Sequence, residues 1–304
     1  VFIFLILPSR VCISKDKMVG FMKMILWLSV VACIVNIAIN FRQFSQLLTV
    51  GNPYVLNFSS FYLNRNSFAQ LLWVGIIANT IVYFKTSNKW HLLLYLLFFV
   101  NITLTLSRTI IALSLMLMLV FFIRKSFKKP ALLVGGLIIG FAVVLILSKS
   151  PVVTGFISNM VIRKSQGTSG RAELWVFGFQ YILQRNFIFG LGYLTGTDLI
   201  KTVSTGLAEF HSFYIETLVG GGIIDLALHF TIFGFIIRRI FLFEGKYRLV
   251  YLMAYFTLGL YCVFESASFF SLGYVSGFFT IFFVTIPLMY SNGIIEDSKH
   301  GRDI

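Results

Sequence analysis

Apolar runs about as long as a bilayer is thick recur along this chain. A membrane-crossing α-helix needs about 20 mostly apolar residues. Runs of this kind are Val19–Ile39, Ser67–Phe84, Trp90–Leu106, Thr109–Ile123, Ala131–Leu147, Ile215–Ile237, Leu249–Phe264 and Phe270–Tyr290. The segment Val1–Leu7 looks like the end of one more, so we expect this first span to be truncated. The pattern predicts an all-α, polytopic transmembrane bundle of about nine spans that forms a single membrane domain over residues 1–304.

Composition supports a membrane protein. Hydrophobic residues make up 58% of the chain and charged residues 12%, whereas soluble domains average about 45–50% and 25%. The net charge is +14. We interpret this charge as a topology signal and expect no nucleic-acid partner, because Lys and Arg concentrate in the cytoplasmic loops of membrane proteins.

The charge distribution predicts the orientation. One set of connections carries most of the cations: Arg10, Lys15, Lys17, Lys85, Lys89, Arg124, Lys125, Lys128, Lys129, Arg238, Arg239, Lys246 and Arg248. The positive-inside rule places these connections and the C-terminus in the cytoplasm. Two long loops, 40–66 and 148–214, then lie on the extracytoplasmic side, together with the corner at Ser107-Arg108.

The extracytoplasmic cations are mostly arginines, which topology alone does not require. They are Arg42, Arg65, Arg108, Arg163, Arg171 and Arg185, accompanied by Lys149, Lys164 and Lys201. Because guanidinium groups bind phosphates in a bidentate manner, this set indicates an anionic ligand at the outer face. The alternative is pairing with lipid headgroups or with the few outer acidic residues.

The loop 148–214 is too long to be a simple connection, since loops beyond about 12–15 residues are usually functional or disordered. The stretch from Arg171 to Gln184 has a helical pattern and contains Trp175, which suits a helix lying along the membrane interface. Gly190 and Gly192 then predict a turn. The loop returns to the bilayer through the residues around His211.

Four short motifs, in this order, resemble those of the O-antigen ligase and O-antigen or capsular polysaccharide polymerase superfamily. They are Ser107-Arg108; Ser169-Gly170-Arg171 with Trp175; Phe189-Gly190-Leu191-Gly192; and His211 with Tyr214 ahead of Gly220-Gly221-Gly222. Asn64-Arg65-Asn66 is similar to an upstream motif of the family, and the resemblance covers about residues 60–240. Ser212 stands where the family commonly has Asn, and Asp225 where it commonly has Gly.

The resemblance implies a GT-C-like helical fold in the bacterial inner membrane and a glycosyltransferase that uses neither a cofactor nor a metal. Its donor is a glycan on polyprenyl pyrophosphate, and its acceptor is a sugar hydroxyl of a second lipid-linked glycan. A flippase and a chain-length regulator are the implied protein partners. We expect His211, Arg171 and Arg108 to be catalytic, with His211 as the base and the arginines on the leaving pyrophosphate. We expect substrate binding by Arg65, Arg163, Lys164, Glu209 and Glu265.

Simpler roles remain open for these residues. His211 could instead donate a hydrogen bond to the pyrophosphate, or it could be an interface residue. Glu209 and Glu265 are rival bases. Arg108 could snorkel to the interface, and Arg171 could bond Glu173 or a lipid phosphate. Glu265 could simply pair with an arginine.

Three functions other than a polymerase also remain open. An O-antigen ligase would transfer the glycan to a lipid A core, and the departure at Ser212 favours a polymerase. A flippase for lipid-linked sugars would need polar paths across the membrane and usually two related halves, whereas Asp225 is the main charged residue within the spans. A membrane scaffold would leave the arginine-rich loop unexplained.

Overall fold

The structure is a computed structural model that describes residues 5–46, 56–126, 171–193, 198–201, 209–266, 269 and 278–290, without the side chains of 44–45 and 122–126. Within these ranges every regular element is helical, in agreement with the expected all-α class. The predicted span Ala131–Leu147 and the predicted ligands Arg163 and Lys164 lie outside the described residues.

Most of the predicted spans correspond to helices whose ends differ from the prediction by a few residues. The helices are α1 (Leu7–Ser9), α2 (Lys15–Ile39), α3 (Phe41–Gln46), α4 (Arg65–Thr86), α5 (Trp90–Leu104), α6 (Arg108–Ser126), α7 (Arg171–Arg185), α8 (Phe213–Ile240), α9 (Gly245–Phe264) and α10 (Phe278–Tyr290). The long apolar run after Trp90 divides at Ser107-Arg108, as predicted. Leu106 makes this corner with a left-handed φ of 57°.

Within the described residues, four helices are long and apolar enough to cross a membrane: α2, α4, α8 and α9. The helices α5 and α10 and the described part of α6 are apolar but shorter. The higher count of about nine spans stays a prediction.

The chain forms two compact units. One comprises residues 21–167 and is called the N-terminal unit here. The other comprises residues 1–20 and 168–304 and is called the C-terminal unit.

In the N-terminal unit, α4 is the central helix and packs against α5 and α6. It is buried over nearly its whole length, from Phe68 to Val82. Gly75 lets α2 approach closely, because a Cβ at this position would lie 2.5 Å from the Ser29 hydroxyl. Small residues at helix contacts are typical of packing inside membranes.

Buried amides join α2, α5 and the chain before α4. Asn36 donates a hydrogen bond to the Asn101 side chain at 3.0 Å and accepts bonds from the Asn40 side chain and the Ser60 N–H. Buried polar groups are costly unless they are paired. This network therefore fixes the end of α2 against the segment that leads into α4.

In the C-terminal unit, α8 packs against both α7 and α9, and it is broken at Gly222. Gly222 has φ 72° and ψ −172°, a backbone region that is almost exclusive to glycine. Before the break the helix buries Phe213, Thr217, Leu218, Val219 and Gly220, whereas after the break only Ile236 and Ile240 are buried. The part after the break, 223–240, is about 27 Å long at 1.5 Å per residue. That length nearly matches the hydrocarbon core of a bilayer, about 30 Å.

The turn 187–192 fills this break with backbone hydrogen bonds. The N–H groups of Leu191 and Gly192 donate to the carbonyls of Val219 and Gly220, each at 2.8 Å. In return, the carbonyls of Phe187 and Ile188 accept from the N–H groups of Ile223 and Ile224 at 2.9 and 3.4 Å. Buried backbone groups need hydrogen-bond partners, so the turn supplies the partners that a continuous helix would have provided.

Candidate active site

Arg171, the first residue of α7, points at the end of α9. Its Nη1 donates to the Phe264 carbonyl at 2.7 Å and lies 3.5 Å from Oε1 of Glu265. The positive end of the helix dipole disfavours a cation at a helix N-terminus. The Glu265 carboxylate and the Phe264 carbonyl offset that cost and fix the guanidinium at the C-terminal end of α9.

Glu265 also faces His211. The second carboxylate oxygen of Glu265 lies 3.8 Å from Nδ1 of His211, which is longer than a hydrogen bond. The side chains of Arg171, His211 and Glu265 are 28%, 26% and 16% exposed, so all three are sheltered and still reachable. The structure therefore brings together three of the predicted site residues, with Arg171 and His211 facing the carboxylate of Glu265.

The backbone around His211 is held in an unusual conformation. His211 has φ 51°, which is uncommon for residues other than glycine and is frequently found at functional sites. Two residues later, the Phe213 N–H donates to the Glu265 carbonyl at 3.2 Å. The loop that carries His211 is thus tied directly to the residue that its side chain faces.

Trp175 connects α7 with the residues that precede His211 and Glu265 in the chain. It lies one turn after Arg171 on the same face of the helix. Its indole N–H donates to the Phe210 carbonyl at 2.7 Å, and its ring packs against Phe264 with centroids 6.3 Å apart. Beneath it, Gly178 allows Phe210 to pack closely, since a Cβ there would lie 2.6 Å from the Phe210 ring.

Replacing Trp175 with phenylalanine should lower the stability and activity moderately. The ring contact with Phe264 is kept, but the Phe210 carbonyl next to His211 loses its donor, at a cost of about 1–3 kcal/mol. We expect a lower melting temperature in detergent and a several-fold slower glycan transfer. Tyr214→Phe is the matched control, because it removes a hydrogen bond to the Gly259 carbonyl on α9. Equal activity of the Trp175 variant and the control would contradict the assigned role.

Glu216 is a site residue that the sequence reasoning missed. It lies in the first turn of α8 and interacts electrostatically with His211 and Glu209. Glu209 itself is exposed, so of the two carboxylates Glu216 is the more sheltered from solvent. The signal that could have identified it is an acidic residue inside the apolar run after His211, because ionisable residues in such runs are functional candidates by default.

The other predicted site residues are placed elsewhere or are not described. Arg65 and Arg108 belong to the N-terminal unit, where they begin α4 and α6. Helices that are joined by short connections and pack together run antiparallel, and α5 packs against both α4 and α6. We therefore infer that α4 and α6 are parallel and that their first residues, Arg65 and Arg108, lie at the same end of that unit. Asn64 caps α4, with its side chain accepting from the Asn66 N–H at 2.8 Å. Among the described residues, no group of three or more His, Cys, Asp or Glu side chains could hold a metal ion.

Comparison with known protein families gives a match. Residues 93–230 match the O-antigen ligase family. This range contains Arg108, Arg171, His211 and the helix break at Gly222, and Glu265 lies beyond it. Neither curated proteins nor solved structures give a significant match. The match over residues 93–230 confirms that this part of the chain resembles the O-antigen ligase and polysaccharide polymerase superfamily.

Proposed function

We propose that this integral membrane protein is a polysaccharide polymerase. It transfers a glycan from polyprenyl pyrophosphate to a sugar hydroxyl of a lipid-linked acceptor at the extracytoplasmic face of the membrane. The observation that carries the proposal is the meeting of the Arg171 guanidinium and the His211 imidazole on the Glu265 carboxylate, within contact distances of 3.5 and 3.8 Å. A fixed cation beside a base suits a reaction that releases an anion and removes the proton of a hydroxyl group.

Arg171 stabilises the leaving group. Negative charge grows on the pyrophosphate oxygens as the bond from the anomeric carbon to the carrier breaks, and a preorganised cation stabilises that charge most strongly. A guanidinium has five N–H donors. Within the described residues, both hydrogen bonds of Arg171 come from Nη1, so its Nε and Nη2 donors can bind phosphate oxygens.

His211 accepts the proton of the acceptor hydroxyl. As the acceptor oxygen bonds to the anomeric carbon from the side opposite the pyrophosphate, its proton passes to Nε2 of the imidazole. Nδ1 then carries the proton that faces Glu265, whose negative charge stabilises the imidazolium. The 3.8 Å distance between Nδ1 and Oε2 fits a free enzyme, because catalytic hydrogen bonds often shorten only when the substrate is bound.

The remaining residues have supporting roles in this proposal. Arg108, Arg65, Arg163 and Lys164 keep their predicted roles as ligands of phosphate or of an anionic glycan. Glu209 binds the sugar. The family implies lipid-linked glycans as substrates, and the reaction as written needs neither a metal nor a nucleotide.

An O-antigen ligase is the second candidate, because ligase is the activity in the description of the matched family. The two enzymes share the donor chemistry and differ in the acceptor. Deleting the gene separates them. Loss of a polymerase leaves single repeat units on the outer face, whereas loss of a ligase leaves long glycans on the lipid carrier. Single units that stay on the inner face would indicate a flippase instead.

Complementing the deletion strain with His211 variants tests the mechanism. We expect His211→Ala and His211→Gln, at wild-type abundance, to slow transfer by about 10²–10⁴-fold, since this is the usual contribution of a general base. The surface glycan ladder on a gel should collapse to its shortest band. His91→Gln is the matched control, because His91 lies in the N-terminal unit, with its Nδ1 2.7 Å from the Asn79 side chain. A full ladder from His211→Gln would remove the base from the mechanism.

A further inference from the structure

A second polar cluster lies at the helix break. The Tyr193 hydroxyl donates a hydrogen bond to Oδ2 of Asp225, and Nδ1 of His229 lies 3.2 Å from Oδ1 of the same carboxylate. The Tyr193 ring packs directly on Gly220, where a Cβ would lie 2.7 Å from the ring. Burial and the bond to Asp225 raise the pKa of the Tyr193 phenol, so the hydroxyl stays a donor at neutral pH.

Asp225 carries a charge at a position where burying it is energetically costly, which suggests a functional role. It begins the part of α8 that is long enough to span a bilayer, and charges within such segments are rare and usually functional. The side chains of Asp225 and His229 are 27% and 17% exposed, and Tyr193 is 52% exposed as a residue. A carboxylate has about four lone-pair positions, so each oxygen of Asp225 can still accept from a ligand.

This cluster adjoins the candidate active site. Phe213, whose N–H is bonded to the Glu265 carbonyl, also contacts His229 edge-on with ring centroids 5.2 Å apart. Glu216 interacts electrostatically with His211 and with Tyr193. One aromatic ring and one carboxylate therefore connect the Arg171–Glu265–His211 group with the Tyr193–Asp225–His229 cluster.

The chemistry of this cluster favours a neutral sugar over an anion. A carboxylate repels phosphate but accepts hydrogen bonds from hydroxyl groups, and an exposed aromatic ring offers a flat surface to the C–H face of a pyranose. We propose that Tyr193, Asp225 and His229 form a subsite that binds a sugar of the glycan acceptor and delivers its hydroxyl towards His211. This inference rests on the proposed function, because it names the substrate contact that the transferase would use.

Titrations with two different ligands distinguish this subsite from the pyrophosphate site. The full-length protein is placed in nanodiscs and titrated with inorganic pyrophosphate and with the repeat-unit oligosaccharide, which mild acid releases from the lipid-linked glycan of the source strain. We expect Asp225→Asn to weaken oligosaccharide binding about 10-fold or more, and Tyr193→Phe about 3- to 10-fold, since hydrogen bonds to a charged group are stronger than those between neutral groups. Both variants should bind pyrophosphate as the wild type does.

The opposite result is expected for Arg171→Ala, which should lose pyrophosphate affinity and keep oligosaccharide affinity. Asp198→Asn is the matched control, because Asp198 pairs with Lys201 on the surface at 3.0 Å, and this variant should change neither affinity. Loss of both affinities in Asp225→Asn would show that the carboxylate only holds the fold together, and this would overturn the subsite. Absence of oligosaccharide binding in the wild type would overturn it as well. If instead the gene deletion leaves the glycan unchanged, the proposed function fails. The oligosaccharide titration then still tests whether Tyr193, Asp225 and His229 bind a sugar.

Discussion

Arg171→Ala is expected to slow glycan transfer by about 10²–10³-fold, the usual cost of removing one preorganised donor from a developing anion. The Arg171 guanidinium is held by the Phe264 carbonyl and the Glu265 carboxylate, so it needs little rearrangement as charge develops on the pyrophosphate. Arg171→Lys keeps the charge but loses the planar fork of donors, and we expect it to retain only part of the activity. Turnover of lipid-linked glycan by the purified protein in liposomes measures both variants.

The same helix offers a matched control at its other end. Arg185 closes α7 with its guanidinium 5.3 Å above the Tyr181 ring, so Arg185→Ala removes an interfacial arginine away from Glu265. We expect this variant to keep near wild-type activity. Melting temperatures must accompany the rates, because Arg171→Ala also leaves the Glu265 carboxylate without its guanidinium partner. Wild-type turnover by a well-folded Arg171→Ala protein would remove the arginine from the mechanism.

The helical class and most helix positions could be predicted from the sequence because both depend on local properties. Hydropathy over about 20 residues determines whether a segment can span a bilayer, and the corner at Ser107-Arg108 followed from a run too long for one span. The two glycines of the turn 187–192 were also predicted correctly. Gly190 and Gly192 have φ values of 76° and 89°, which residues with side chains rarely adopt.

The contacts of the candidate site could not be predicted in the same way. Arg171 and Glu265 are 94 positions apart in the chain, and sequence reasoning left Glu173 and lipid phosphates open as the partner of Arg171. Glu216 was missed because a single acidic residue barely changes the hydropathy of the run that contains it. Only the packing of α7, α8 and α9 brings these side chains to the same place.

The break in α8 was missed for a related reason. The apolar run continues through Gly220-Gly221-Gly222, so hydropathy predicts one uninterrupted span from Ile215 to Ile237. The break is stabilised by a partner segment about 30 residues earlier in the chain, whose backbone pairs with both sides of it. Glycines within a helical pattern indicate a permissive backbone, but the segment that pairs with them is a tertiary feature.

Gly222→Ala should destabilise the protein strongly, because the alanine Cβ meets two obstacles. A Cβ at this position would lie 2.2 Å from the Ile188 carbonyl oxygen, and the backbone conformation itself costs about 1–3 kcal/mol for a residue with a side chain. Relieving the clash pushes out the turn 187–192 and breaks its hydrogen bonds to α8, and each buried backbone group left without a partner costs about 1–3 kcal/mol. We expect a sharply reduced yield of monodisperse protein and a melting temperature lower by roughly 5 °C or more.

Gly190→Ala tests the same interlock from the opposite side. The Cβ of this variant would lie 2.5 Å from the Gly220 carbonyl oxygen and from the Gly222 nitrogen, so we expect a loss of similar size. Gly234→Ala is the matched control, since Gly234 lies later in α8 and nothing comes within 4 Å of its added Cβ. This substitution should be neutral or stabilising by up to about 1 kcal/mol, because alanine favours the helix over glycine. If all three variants have the melting temperature of the wild type, the turn does not stabilise the broken helix. The positions of Tyr193 and Asp225 would then have to be fixed by other contacts.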